Sequence, residues 1–368
     1  MQEISVVDLF IKLLSSESIT PDDGGLIDFI QEYLSDFKAY RFDKEGVKNL
    51  FLVKDFGDSG KHLCFGGHVD VVPPGDGWDS NPFVPKIDGD KIYARGAQDM
   101  KSGVAAFVAA CKDVKDFNGT LSIVLTSDEE GDGKYGTVVT LEELKKLNML
   151  PDYAIIAEPT CETEFGDSIK VGRRGSINGV IELFGVQGHA AYPEKAVNVV
   201  DLISPILPKI AGYNLDDGDE YFAPSKFVIT DIRAGMEVTN VTPGYLKMMF
   251  NVRNSTKTTK KDIEEFVKSH FKELDYKLTL SQTAKPFVTD NSSKVVTTLS
   301  NSIEKIANIK PKLSTAGGTS DARFFGEFGV DTVEFGVIND TIHAPNEFTT
   351  ITQVNRLYEV FKNLIKEF

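Results

Sequence analysis

Two of the five histidines sit beside carboxylates in short polar motifs, and these are the residues of the chain most able to do chemistry. His68 lies in Gly66-Gly67-His68-Val69-Asp70, where an apolar run stops, and His343 lies in Thr341-Ile342-His343-Ala344-Pro345-Asn346-Glu347. Between them, acidic residues recur at similar places. Asp99 stands in Arg95-Gly96-Ala97-Gln98-Asp99-Met100-Lys101, Glu129 and Glu130 in Ser127-Asp128-Glu129-Glu130-Gly131, and Glu158 in Ala157-Glu158-Pro159. Each motif has a plain use: a solvated strand-end histidine, an aspartate capping the helix that follows it, an exposed acidic run. As a set they point elsewhere. Adjacent like charges are costly unless something neutralises them. Two imidazoles and three carboxylates suit two Zn²⁺ ions sharing one carboxylate. Glu129 and Glu130 can then divide labour, one on metal and the other holding a water. Asp70, two residues past His68, can accept the second ring N–H and fix its tautomer.

The elements that must position these residues are legible as alternation. HLCFGG (62–67), TLSIVLTS (120–127) and DYAIIA (152–157) read as buried strands. MKSGVAAFVAACKDV (100–114) and LEELKKLN (141–148) carry helical spacing. Strands alternating with helices predict an α/β fold with a mixed, largely parallel sheet sandwiched by helices. In such sheets the carboxyl ends of the strands border the ligand crevice, and that is where His68, Glu129, Glu130 and Glu158 fall. The middle of the chain differs. Strand-like 175–185, 226–235, 245–254 and 276–282, with helix-like 195–210 and 259–274, give the order β-α-β-β-α-β of a ferredoxin-like unit. A helix at 292–308, a strand at 331–337 and a closing helix at 351–367 restore the first pattern. The expected organisation is therefore a larger α/β domain of residues 1–174 and 289–368 interrupted by a smaller domain at 175–288.

Composition narrows the partners. Forty basic against 55 acidic residues give a net charge of −15, which opposes nucleic-acid binding. No apolar run approaches the roughly 20 residues of a membrane helix. The opening stretch MQEISVVDLFIKLLSSES is charged and amphipathic rather than a solid apolar block, and the three cysteines lack CxxC spacing. These features predict a cytoplasmic protein with reduced thiols.

With these motifs in order, GGHVD, ARGAQDMKSG, TSDEE, EP and IHAPNE, the sequence resembles the dizinc aminoacylase/carboxypeptidase family over essentially its whole length. The resemblance implies a zinc-exopeptidase-like fold, with 1–174 and 289–368 as the catalytic dizinc domain and 175–288 as a lid and dimerisation domain, and hydrolysis of an N-acyl amino acid by a homodimer with two Zn²⁺ per subunit, Co²⁺ being a possible occupant of one site. It implies His68 and His343 on one ion each, Asp99 bridging, Glu130 beside His343 and Glu158 beside His68. Glu129 would be the general base, and Asp70 would orient His68. The motifs GRRGS (172–176), GHAAYP (188–193) and GGTSDARF (317–324) imply further roles. Lys170, Arg173, Ser176, Tyr192, Asn240, Arg253, Gly318, Thr319 and Asn339 would contact substrate. His189, reaching across a dimer interface, would donate to the oxyanion. Arg173 could pair a carboxylate on the acyl group bidentately and so select a dicarboxylic acyl chain. The departures, Val69 and Ala322, touch no ligand position. The rivals are a sibling acting on an acetylated amino acid or a dipeptide, and a catalytically silent scaffold. His62, His270 and Trp78 are given no chemistry.

Overall fold

The computed structural model describes residues 4–57 and 60–368. It divides into two compact units, Met1–Gly172 with Val288–Phe368, and Arg173–Phe287. The borders expected at 174/175 and 288/289 fall one or two residues earlier.

In chain order the strands that matter are β1 (Lys38–Arg41), β2 (Asn49–Asp55), β3 (Lys61–His68), β4 (Gly119–Thr126), β5 (Tyr153–Ile156), β6 (Ser168–Lys170), β7 (Ser176–Phe184), β8 (Phe227–Ala234), β9 (Tyr245–Val252), β10 (Tyr276–Ala284), β11 (Lys312–Ser314) and β12 (Asp331–Glu334). The first unit is built on an eight-stranded sheet in the order β1-β2-β4-β3-β5-β12-β6-β11. Its centre, β4-β3-β5-β12, is parallel. The edge pair β1 and β2 runs antiparallel, and β6 meets β12 antiparallel. Buried on both faces, the central strands read as unbroken apolar runs, which made them legible. β1 and β2 were not anticipated.

Helix α1 (Val6–Leu14) starts at Ser5, whose hydroxyl accepts from the Asp8 amide at 3.1 Å. Helix α2 (Lys101–Asp113) is buried from Lys101 through Cys111 and packs against α1 and the last helix, α3 (Ile351–Glu367). The glycine at 103 permits a close approach: a Cβ there would lie 2.2 Å from the carbonyl oxygen of Ala157, beside Glu158. Asp99 is not a helix cap. The cap position is Met100, without a side-chain hydrogen bond, and the Asp99–Met100 peptide is cis.

The second unit is a four-stranded antiparallel sheet, β8-β9-β7-β10. Its apolar face, including Ile177, Ile181, Phe227, Met248 and Phe250, packs with Ile263, Val267 and Phe271 of the helix Lys260–Phe271. The helix expected over 195–210 is broken into Pro193–Lys195, Val199–Ile203 and Leu207–Ile210, with Pro205 and Pro208 interrupting its second half.

Candidate metal centre

His68 is the last residue of β3, opposite Thr126 at the end of β4. Glu129 and Glu130 follow β4, and Glu158 follows β5 by two residues. Parallel pairing therefore delivers three ligand-bearing turns to one sheet edge. Asp99 arrives from the loop before α2 and His343 from the loop after β12.

Asp99 stands at the centre. Its Oδ1 lies 3.3 Å from Nε2 of His68 and its Oδ2 3.3 Å from Nε2 of His343. Glu158 Oε1 is 3.9 Å from the His68 ring and Glu130 Oε1 is 2.9 Å from the His343 ring. Glu129 Oε2 also comes within 3.9 Å of His68. Ligand atoms of His68, Asp99 and Glu158 gather within 4.8 Å of one another, as do those of Asp99, Glu130 and His343. The two sets share Asp99, with one oxygen towards each imidazole. A third set, His68 with Glu129 and Glu130, overlaps both.

The proton balance of the cluster reflects crowding. Burial opposes charge on His68, but the Asp99 hydrogen bond and the carboxylates of Asp70, Glu129 and Glu158 hold its pKa well above the ordinary histidine value. Hydrogen bonds to Asp99 and Glu130 lift His343 to about 10. Burial and neighbouring carboxylates raise Glu129 and Glu158 well above the usual carboxylate range. Asp99 is also buried, yet its hydrogen bonds to both histidines keep its pKa low. A nitrogen–oxygen donor set of this charge fits divalent cations, zinc among them.

Asp70 differs in detail from the expected orienting carboxylate. The Nδ1 of His68 faces the main-chain oxygen of Asp70 at 2.9 Å and its carboxylate Oδ1 at 3.6 Å. The main-chain carbonyl therefore takes the ring N–H and leaves Nε2 for the cluster. The carboxylate accepts instead from the amides of Glu130 at 3.1 Å and Glu129 at 3.4 Å, tying β3 to the acidic turn.

The remaining residues are distributed as follows. Lys170, 4% exposed at the end of β6, donates to Glu162 at 3.2 Å. Asn339 donates its amide to the Cys161 carbonyl at 3.1 Å, while Gly318 and Thr319 lie in the loop after β11. In the second unit, Arg173 and Ser176 are buried, and Ser176 accepts from Asn251 at 3.1 Å. His189 is exposed on a two-residue strand, its Nδ1 accepting from the Ala191 amide at 3.0 Å and its ring 5.7 Å from that of Tyr192. The Ala190 amide donates to the Asn240 carbonyl at 2.9 Å, which sets Asn240 beside that loop. Arg253 is exposed just past β9. His62 pairs with Ser122 at 2.7 Å and His270 with the Phe266 carbonyl at 2.9 Å; neither belongs to the cluster. Trp78 packs over Arg95, 5.1 Å from ring centre to guanidinium carbon.

Two features escaped sequence reading. Asp321 is buried, accepts from Thr137 at 2.6 Å and adds to the negative field at Glu129. Arg95 and Glu347 form a fully buried pair at 2.7 Å. The available signal was opposite charges placed four residues from ligands in two motifs.

A sheet whose carboxyl edge carries a shared-aspartate cluster, with a separate ferredoxin-like unit spliced into it, defines a class of metallohydrolase. The profile of Peptidase family M20/M25/M40 matches residues 64–367, and the chain belongs to that family. It is 67% identical over 365 residues, 99% of this chain and 100% of the relative, to a protein named succinyl-diaminopimelate desuccinylase in a Nitratiruptor species. A protein of the same name in a Sulfurovum species is 64% identical over 99% of each chain. Among solved structures, aminopeptidase PepT from Bacillus cereus superposes with a TM-score of 0.81 at 20% identity, covering 98% of this chain and 97% of that one. At that identity the likeness concerns the fold alone. Among the described residues, no helix is long and apolar enough to cross a membrane.

Proposed function

We propose that this chain hydrolyses N-succinyl-L,L-2,6-diaminopimelate to succinate and L,L-2,6-diaminopimelate at a two-zinc centre, with Co²⁺ able to replace zinc at one position. The observation that carries the substrate is identity of 67% along the full length of a relative bearing the desuccinylase name. The chemistry is supported by the retention of His68, Asp99, Glu129, Glu130, Glu158 and His343 in one cluster. A silent scaffold would be expected to have lost one of them.

Bound cations would supply Lewis acidity to the scissile amide and make a water easier to deprotonate. Glu129 is the general base: it takes a proton from the attacking water and returns it to the leaving amine. Asp70 fixes the acidic turn from which Glu129 acts. Lys170, Arg173, Ser176, Tyr192, Asn240, Arg253, Gly318, Thr319 and Asn339 bind substrate in this reading, and His189 donates to the oxyanion. Arg173 supplies the fork that favours a succinyl over an acetyl group. A homodimer is proposed through the second unit, where Val186, Val197, Met236 and Val238 are exposed apolar side chains. The cytoplasm is the expected location for such a biosynthetic step.

The test is a side-by-side comparison of kcat/KM on N-succinyl-diaminopimelate and N-acetylornithine with metal-loaded enzyme. Preference for the succinyl substrate by more than about 100-fold is expected, since the acetyl compound offers Arg173 no carboxylate to pair bidentately. Preference for the acetyl compound overturns the assignment in favour of a deacetylase.

A further inference from the structure

Glu347 is a carboxylate with no solvent and no ligand position. It is 0% exposed, four residues beyond His343, and its two oxygens collect four N–H donors. Oε1 accepts from the main-chain amides of Gln98 at 2.7 Å and Asp99 at 3.2 Å. Oε2 accepts from the Gly96 amide at 3.1 Å and from Nη1 of Arg95 at 2.7 Å. Glu347 thus grips the loop that presents Asp99. Arg95 works in the other direction, donating to the carbonyl oxygens of Ala344 at 3.2 Å, His343 at 3.4 Å and Pro74 at 3.1 Å. Gln98 adds a third tie, giving a hydrogen bond to Asp340 at 2.6 Å and accepting one from the Thr341 amide at 2.9 Å.

The two halves of the cluster are held differently. His68 ends a central strand and is 1% exposed, so sheet pairing and packing fix its ring. His343 lies in a loop, its side chain is 48% exposed and its φ is 59°, a left-handed backbone that residues with side chains rarely adopt. No packed core sets that ring. Its main chain must be held from elsewhere, and the carbonyl of His343 is held by Arg95.

We propose that the buried Arg95–Glu347 pair, assisted by Gln98, is a positioning device for the shared Asp99 and for the His343 loop, so that it acts most on the half of the metal centre made by Asp99, Glu130 and His343, while His68 and Glu158 of the other half stay buried at strand ends. The proposal rests on the two-cation reading above. It predicts an asymmetric defect. Glu347→Gln keeps the volume but turns an amide N–H₂ towards main-chain donors whichever way it lies, so two of the four N–H groups lose their acceptor. Loss of such an outer partner weakens metal binding by about 10–100-fold. That loss should fall mainly on one ion, the one that also depends on the His343 loop.

Metal-free wild type, Glu347→Gln and the milder Gln98→Ala would be titrated calorimetrically with Zn²⁺, and the absorption of bound Co²⁺ recorded for each. The expected result is two ions on wild type, with the variants holding one close to wild-type affinity and the second about 10–100-fold more weakly. Glu347→Gln should show the larger effect, and one of two Co²⁺ signatures should change. Should Glu347→Gln fail to fold, Gln98→Ala decides by the same measure. Leu364→Ala, in the buried face of α3, is a control that lowers stability without favouring either ion. If wild type takes two ions and the variants bind both as wild type does, or lose both equally as the control does, the positioning role falls and the metal centre stands. If wild type takes no ion, the metal reading itself falls.

Discussion

Filling the metal centre should expel protons in a number set by the geometry of the cluster. A histidine can ligate only through a deprotonated nitrogen. Nε2 of His343 points at Glu130 and Asp99 at 2.9 and 3.3 Å, and its pKa is lifted to about 10. His68 is likewise held well above the ordinary value by the carboxylates around it. Both rings are therefore charged at neutral pH, and two ions must displace two protons. Glu158 or Glu129 would add to that count to the extent that their raised values reach the working pH. Two ordinary histidines at pH 7.5 would together release only about 0.2 protons. The difference is large enough to measure. Titration with Zn²⁺ at pH 7.5 in buffers of different ionisation enthalpy gives the proton number as the slope of observed heat against that enthalpy. A slope of at least about two protons per chain is expected, and His343→Ala should reduce it by about one. Each ion's affinity should also rise about tenfold per pH unit between pH 6.5 and 7.5. A slope near zero, or affinity independent of pH, would refute the claim that the carboxylates charge these rings.

Two further outcomes are expected. Glu129→Gln should leave both metal equivalents bound while kcat falls about 10²–10⁴-fold, as removal of a general base does; wild-type turnover would remove Glu129 from that role. Lys101 is 0% exposed, donates to the carbonyls of Leu13 at 3.1 Å and Ser16 at 3.0 Å, and is driven by burial down to about 7. Its ammonium is thus disfavoured in the native chain but kept by the unfolded chain to about pH 10.5, so stability rises with pH across that window. Lys101→Met removes the titration. In denaturant unfolding of the metal-free proteins, wild type should gain on the variant by up to about 1.4 kcal/mol per pH unit from pH 7 upward, and parallel stability curves would refute the lowered pKa of Lys101.

The ligand types and the central strands were legible because both depend on local pattern. β3, β4 and β5 are buried on both faces and read as apolar runs, and the acidic and histidine motifs sit where those runs stop. An α/β sheet with parallel strands then obliges their carboxyl ends to share one edge. The same logic failed for β1 and β2, whose antiparallel places at the sheet margin follow from β2 pairing with β4 and β1 with β2 rather than from their own spacing. It failed again at 195–210, where two prolines cut an apolar stretch that has helical period. Tertiary structure alone decided how the oxygens are shared out. Spacing cannot say that the two oxygens of Asp99 face different imidazoles, that the Asp70 main chain rather than its carboxylate takes the His68 ring proton, or that Glu347 lies under the Asp99 loop. Those facts belong to atoms far apart in sequence, Glu347 lying 248 residues from Asp99. Sequence chose which side chains could meet a cation; only chain closure in space set the distances and directions on which their chemistry depends.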